Sequence, residues 1–218
     1  MLARPYMTAV VILAAAGTVA GIAVAAHFAL LLMPFAWTGE PARLVALLGI
    51  HPGDRVADIG AGDGSHAVAV ARFIGRDGDV LATEIDPGRR QAIAERASRA
   101  QVNVRVMAGA TDRTNLPDGC CDAIYMRTML HHIANTPAFA GDVVRSIRPG
   151  GRIAVIDFAP GRLWFHGRDH GVTPETVTSA FTAAGCTLRL RDDGWGGPTF
   201  LLLFDCGNTG RPERATGG

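Results

Sequence analysis

The sequence predicts an α/β protein: a seven-stranded, mostly parallel sheet with helices on both faces, preceded by one N-terminal hydrophobic helix. Three observations carry this expectation. Short aliphatic runs alternate with stretches of helical period from Val56 to Phe158, the pattern of strands joined by helical crossovers. The first run, Val56–Ile59, passes directly into Gly60-Ala61-Gly62-Asp63-Gly64, a turn whose glycines let the backbone bend sharply and approach a ligand. Residues Met7 to Trp37 form an almost unbroken apolar run in which His27 is the one ionisable side chain.

That N-terminal run is longer than the ~20 helical residues needed to cross the hydrocarbon core. Tyr6 and Trp37 stand at its ends, where aromatic residues meet the membrane interface. Residues 1–37 are therefore expected to be a transmembrane anchor. A cleaved signal peptide is the alternative, because Arg4 precedes the run and Ala23-Val24-Ala25 has the small-x-small cleavage pattern. The anchor is preferred because Leu30-Leu31-Leu32-Met33 continues the run beyond that site. Gly17 and Gly21 permit close packing of two such helices, which leaves a homodimer open.

The rest of the chain is expected to form one domain, residues 38–206, with a polar, glycine-rich and disordered tail over 207–218. Pro41, Leu44, Leu47 and Leu48 mark a short amphipathic helix that ends at His51-Pro52-Gly53-Asp54. Strand one follows, then the glycine turn and a helix from Ser65 to Ile74, with Ser65 as its cap. Strand two covers about Val80 to Ile85, a helix runs from Pro87 to about Ala100, and Val102 to Met107 forms strand three. Strand four is Ala123 to Met126, a helix spans about Pro137 to Ile147, and strand five is Arg152 to Phe158. Thr173-Pro174-Glu175 starts a helix that stops at Gly185. Two further strands, Thr187 to Arg191 and Thr199 to Phe204, are joined by a turn rich in Gly, Asp and Trp.

Composition removes several function classes. The chain has no lysine, all 21 cationic residues being arginine, so Walker-type phosphate binding and Schiff-base chemistry are excluded. Formal net charge is +1 with no basic stripe, which gives nucleic acid no electrostatic support as a partner. A small-molecule or lipid-like partner fits better. The four cysteines show no metal-binding spacing. They are read as reduced thiols, with a Cys186–Cys206 disulfide left open. A dinucleotide fingerprint would need a third glycine where Ser65 stands, and Asp58 before the turn would repel a pyrophosphate while suiting an amine-bearing ligand.

The glycine turn with Asp58 resembles motif I of the class I S-adenosylmethionine (SAM) methyltransferases, and the resemblance continues in order. Thr83-Glu84-Ile85-Asp86-Pro87, Ala110-Thr111-Asp112 with Leu116-Pro117, Cys121-Asp122-Ala123-Ile124-Tyr125 and Arg148-Pro149-Gly150-Gly151-Arg152 are similar to the segments at strands two to five of that family. The resemblance implies a Rossmann-like, doubly wound sheet with a C-terminal antiparallel hairpin, and SAM as cofactor. It places Asp58, Gly60, Ala61, Gly62 and Gly64 around the methionine part of SAM, with Asp58 near its ammonium. Glu84 and Ile85 fall at the ribose, Thr111 and Asp112 at the adenine, and Met126 at the end of strand four beside the cofactor.

Methyl transfer from a sulfonium needs an in-line nucleophile and little else, so orientation and desolvation supply most of the catalysis. Within the resemblance the catalytic candidates at the sheet exits are Arg127, His131 and His132, with Asp157 close by. The His131-His132 pair is read as shaping the pocket, with proton abstraction as the other role, and Arg127 as a holder of a substrate carboxylate or phosphate. The loop Trp164 to Gly171 is read as a substrate lid rather than a metal site, despite His166, Asp169 and His170. Neither the Asn/Asp-Pro-Pro-Tyr/Phe signature of base and amide methylases nor the acid of a magnesium-dependent catechol enzyme follows strand four. The expected function is methyl transfer to a small or lipid-like acceptor at the membrane surface, with the catalytic domain facing the cytoplasm where SAM is made. A cleaved leader would instead imply export. A membrane-tethered SAM-binding protein without activity, and a nicotinamide-dependent oxidoreductase, are the alternatives.

Overall fold

The computed structural model describes residues 39–162 and 171–207. The expected N-terminal helix, and most of the expected lid and of the expected disordered tail, lie outside the described residues. Among the described residues, no helix is long and apolar enough to cross a membrane.

Helix α1 (Glu40–Leu48) has proline in its first turn and stops at Gly49, whose φ of 64° closes a left-handed cap. Strand β1 (Arg55–Ile59) leads through the glycine turn to α2 (Ser65–Ile74), and β2 (Asp79–Glu84) leads to α3 (Pro87–Ala100). Asp86 caps α3 by accepting the Arg89 N–H, and Gln101 ends it in the left-handed region. Strands β3 (Val104–Ala108) and β4 (Cys121–Arg127) follow, then a 3-10 turn (Leu130–His132), α4 (Thr136–Ser146), β5 (Ile147–Phe158), α5 (Pro174–Ala183), β6 (Cys186–Gly196) and β7 (Thr199–Cys206).

The seven strands form one sheet in the order β3-β2-β1-β4-β5-β7-β6. All neighbours are parallel except β7, which runs antiparallel to both β5 and β6. The chain winds outward from β1 to β3, then restarts at β4 on the other side of β1. At that switch point the loops after β1 and β4 diverge to opposite faces and leave a crevice at the carboxyl ends of the strands. The glycine turn opens there.

Because the central strands are covered on both faces, their sequences read as near-continuous apolar runs. Ala57, Ile59, Ile124, Met126, Ile153 and Val155 pack on one face with residues of α4 and α5. Val56, Ala82, Ala123, Tyr125, Ala154 and Ile156 pack on the other with residues of α1 and α2 and Ile93 of α3. Two boundaries differ most from expectation. Strand β5 begins at Ile147, paired with Cys121, and the Pro149-Gly150-Gly151 segment is an irregularity inside it rather than a free turn. Strand β6 runs on to Gly196, so the hairpin turn is shorter than the Gly/Asp/Trp segment suggested.

The reading of four reduced thiols is corrected. Antiparallel register sets Cys186 opposite Cys206 with their Cα atoms 4.3 Å apart, and the two are disulfide-bonded. The Cys120 and Cys121 sulfurs are also paired, leaving no free cysteine among the described residues. The Cys186–Cys206 disulfide that the sequence left open is the one the strand register forms.

Candidate functional site

The glycine turn takes its shape from three left-handed residues, with φ of 72° at Gly60, 58° at Gly62 and 74° at Gly64. Its start is stapled to β2, because the Gly60 and Ala61 N–H groups both donate to the Thr83 carbonyl at 2.9 Å. Each glycine serves a different purpose. A Cβ on Gly60 would come within 2.9 Å of Met129, and one on Gly64 within 2.9 Å of Ile93. At Gly62 a Cβ would meet nothing within 4 Å, so this residue borders open space. Ser65 does not cap α2 as expected: Gly64 is the cap, and the Ser65 N–H donates to Asp63 Oδ1 at 3.0 Å.

These differences predict separable effects. Gly62→Ala carries only the ~1–2 kcal/mol of a left-handed alanine. Gly64→Ala adds overpacking against the fully buried Ile93, a further ~1–3 kcal/mol. Thermal melts are expected to place Gly64→Ala about 5 °C or more below Gly62→Ala.

Glu84 ends β2 and is buried. Its Oε2 accepts the Gly62 N–H at 2.9 Å and its Oε1 the Asp86 N–H at 3.0 Å. Its backbone carbonyl accepts from the Gly109 N–H and from Arg90 Nη1, each at 3.0 Å, which joins the β3 exit to the same point. A carboxylate held on both oxygens beside an open glycine corner is a fixed acceptor for ligand hydroxyls. The adjacent Ile85 is 58% exposed, a large apolar side chain left uncovered next to Glu84. Thr111 and Asp112 lie beyond β3 and are solvent-exposed, with Asp112 3.5 Å from Arg113. Met126 is fully buried in β4.

Asp58 lies one strand away from Tyr125 in direct register and accepts its hydroxyl at 2.9 Å. Burial pushes the Asp58 carboxyl up to about 6, against the opposing pull of the Tyr125 hydrogen bond and of His66 and Arg127. Burial and the neighbouring Asp58 raise the Tyr125 phenol well above its ordinary value.

Beside this pair lies a second carboxylate that no sequence motif singles out. Glu40 of α1 accepts Trp195 Nε1–H at 2.7 Å and Arg127 Nε–H at 3.1 Å, and meets His66 Nε2 at 3.3 Å. Burial would raise Glu40, but the His66 contact, the Arg127 charge and the Trp195 hydrogen bond outweigh it and hold the carboxyl low. Burial lowers the Arg127 guanidinium, with Glu40 opposing. Thr128, next to Arg127, is a β-branched residue at φ 49°, so backbone strain is stored at this strand exit.

On the opposite face, His131 Nδ1 lies 2.7 Å from Asp157 Oδ1, and the His131 backbone N–H donates to Asp157 Oδ2 at 3.1 Å. Both side chains are buried, and the His131 ring packs against His132 and Phe158 with centroids 4.0 and 4.7 Å apart. The structure thus sets Asp58 and Arg127 on one face of the sheet and His131 with Asp157 on the other, around the same strand exits. Among the described residues no group of three His, Cys, Asp or Glu side chains is arranged to hold a metal. Glu40, His66 and Trp195 escaped the sequence reading because they are 26 to 155 residues from their partners. Tyr125 could have been found from strand pairing alone.

Residues 57–155 match the family described as a methyltransferase domain. Among curated proteins the chain is similar to the 27-O-demethylrifamycin SV methyltransferase of Amycolatopsis mediterranei, with 34% identity over 120 residues, 53% of this chain and 43% of that protein. It is likewise similar to the demethylmenaquinone methyltransferase of Tropheryma whipplei, with 33% identity over 117 residues, 53% of this chain and 46% of that protein. The matched region is less than half the length of either relative. A SAM-dependent methyltransferase from Aquifex aeolicus shares the fold with a TM-score of 0.62 at 23% identity, over 75% of this chain and 88% of that one.

Proposed function

We propose that the protein is a class I SAM-dependent methyltransferase that transfers a methyl group from SAM to a small or lipid-like acceptor at a membrane surface, a reading supported by the methyltransferase-domain match over residues 57–155 and by the curated methyltransferase relatives. The observation that carries this reading is the open corner at Gly62 beside the doubly tethered carboxylate of Glu84. The corner suits the cofactor: ribose hydroxyls would meet Glu84 where no Cβ intrudes, the exposed Ile85 would lie against the nucleoside, and Thr111 and Asp112 would meet the adenine amine. Asp58 takes the ammonium of the methionine part.

Bound SAM supplies an electrophilic methyl group on a sulfonium. The protein orients the acceptor and excludes water, which is where most of the rate enhancement of such a displacement arises. Asp157 meets His131 at Nδ1 and at the backbone N–H, two contacts that fix the ring's position. His131 then shapes the pocket wall together with His132, with receipt of a proton from an acceptor hydroxyl as its other role.

The two curated relatives are named for a menaquinone precursor and a rifamycin precursor, and a quinone-like acceptor also suits residues 7–37 as a membrane anchor with the domain on the cytoplasmic side. Close packing at Gly17 and Gly21 would pair two anchors. The test is incubation of the full-length protein with methyl-labelled SAM and bacterial lipid extract. Label is expected in the organic phase, lost with Glu84→Ala. SAM binding without any label transfer to lipid, quinone or aqueous metabolite fractions would leave a binding protein and end the enzymatic reading.

A further inference from the structure

We propose that Glu40 is a positioning residue for the amino-acid end of the SAM site, an inference that rests on the function proposed above. Its carboxylate joins four separate parts of the fold. It stands in the first turn of α1 and receives hydrogen bonds from Trp195 of β6 and Arg127 of β4. It also contacts His66 in the first turn of α2, directly after the glycine turn. Trp195 is itself held from outside, because Arg43 donates to its carbonyl at 3.1 Å and lies 3.8 Å over its ring. The indole is buried, so its N–H needs this acceptor.

The position of this hub gives it a function. Arg127 and Tyr125 are alternate residues of β4 and share a face, and Tyr125 holds Asp58. Arg127 and His66 both act electrostatically on Asp58. Arg127 also feels the charges of Asp58 and Asp63 after that of Glu40. While Glu40 engages Arg127, Asp58 keeps its own charge for a ligand ammonium. Without Glu40, the charge of the guanidinium falls more fully on Asp58, and the carboxylate the ammonium requires is partly compensated before the ligand arrives. Removing one member of a buried ion pair leaves the charge of the other less compensated and changes the field at the groups around it. Glu40 thus sets the state of the cofactor site without touching the cofactor.

A ligand comparison tests this. SAM and S-adenosylhomocysteine carry the amino-acid end, whereas 5′-methylthioadenosine has the same nucleoside without it. Titrations of full-length wild type, Glu40→Ala and the isosteric Glu40→Gln with all three ligands separate positioning from a general loss of structure. Expected is a Kd raised about tenfold for SAM and S-adenosylhomocysteine, with 5′-methylthioadenosine unchanged within about twofold. Glu40→Gln keeps the shape, so it remains informative if Glu40→Ala fails to fold. Equal weakening of all three ligands, or no weakening of any, overturns the inference. Failure of the wild type itself to bind SAM would instead overturn the proposed function.

Discussion

Glu84→Ala is expected to weaken SAM binding by about a hundredfold or more while the protein stays folded. The carboxylate is buried at the end of β2 and bound on each oxygen by one backbone N–H, from Gly62 and Asp86. Hydrogen bonds to a charged acceptor contribute about 1.5–3 kcal/mol each, so two ribose hydroxyls lost together correspond to about two to four decades of affinity. The fold does not depend on the side chain to the same degree. The glycine turn keeps both amide bonds to the Thr83 carbonyl, and the Glu84 backbone keeps Gly109. Glu84→Gln provides the control, since it retains one acceptor oxygen but turns a donor towards one of the two amides. Isothermal titration calorimetry and circular dichroism on the same samples check both halves. Unchanged SAM affinity in Glu84→Ala would remove Glu84 from the site.

Asp58→Asn is expected to produce opposite changes in stability and binding. In the ligand-free protein the Asp58 carboxyl is raised from 3.8 to about 6 by burial. The folded state therefore holds the proton more tightly than the unfolded chain. Stability from this group is full below about pH 4 and falls as pH rises through the window from 3.8 to about 6. The loss amounts to no more than ~3 kcal/mol. Asparagine cannot ionise and still accepts the Tyr125 hydroxyl, so the variant should melt higher than wild type above pH 6 and lose that advantage below pH 4. Binding goes the other way, because the ammonium of SAM loses its carboxylate, at a cost of about tenfold or more. Melting temperatures from pH 4 to 8, with SAM titrations at pH 5 and 7.5, test both. Wild-type affinity should fall at the lower pH and that of Asp58→Asn should not. A variant less stable than wild type at pH 7.5 would show that Asp58 serves the fold rather than the ligand.

Much of this fold was legible because its signals are local. The helices at 65–74 and 87–100 lie where the sequence places them, since glycine turns and Asp86-Pro87 punctuate the chain within a few residues. The glycine corner and Glu84 were legible for the same reason: a strand, a turn and an acid at a fixed remove. What escaped was non-local. The Glu40–Trp195 bond joins residues 155 apart, and Asp58 finds Tyr125 across 67. The Cys186–Cys206 disulfide stayed an open alternative until the register of β6 against β7 decided it, and the length of β6 was underread because its Asp192-Asp193-Gly194 segment looks like a turn. Sequence periodicity carries no record of which strands become neighbours. The order β3-β2-β1-β4-β5-β7-β6 supplies that record, and with it the buried Glu40 cluster beside the site.

The most direct test of the central claim is calorimetric titration of the full-length protein with SAM, with NADH in a parallel cell. Saturable binding of one SAM per chain, with no heat from NADH, is the result predicted by the open corner at Gly62 and the carboxylate of Glu84. A folded protein that gives no heat with SAM, or that binds NADH in its place, would contradict it.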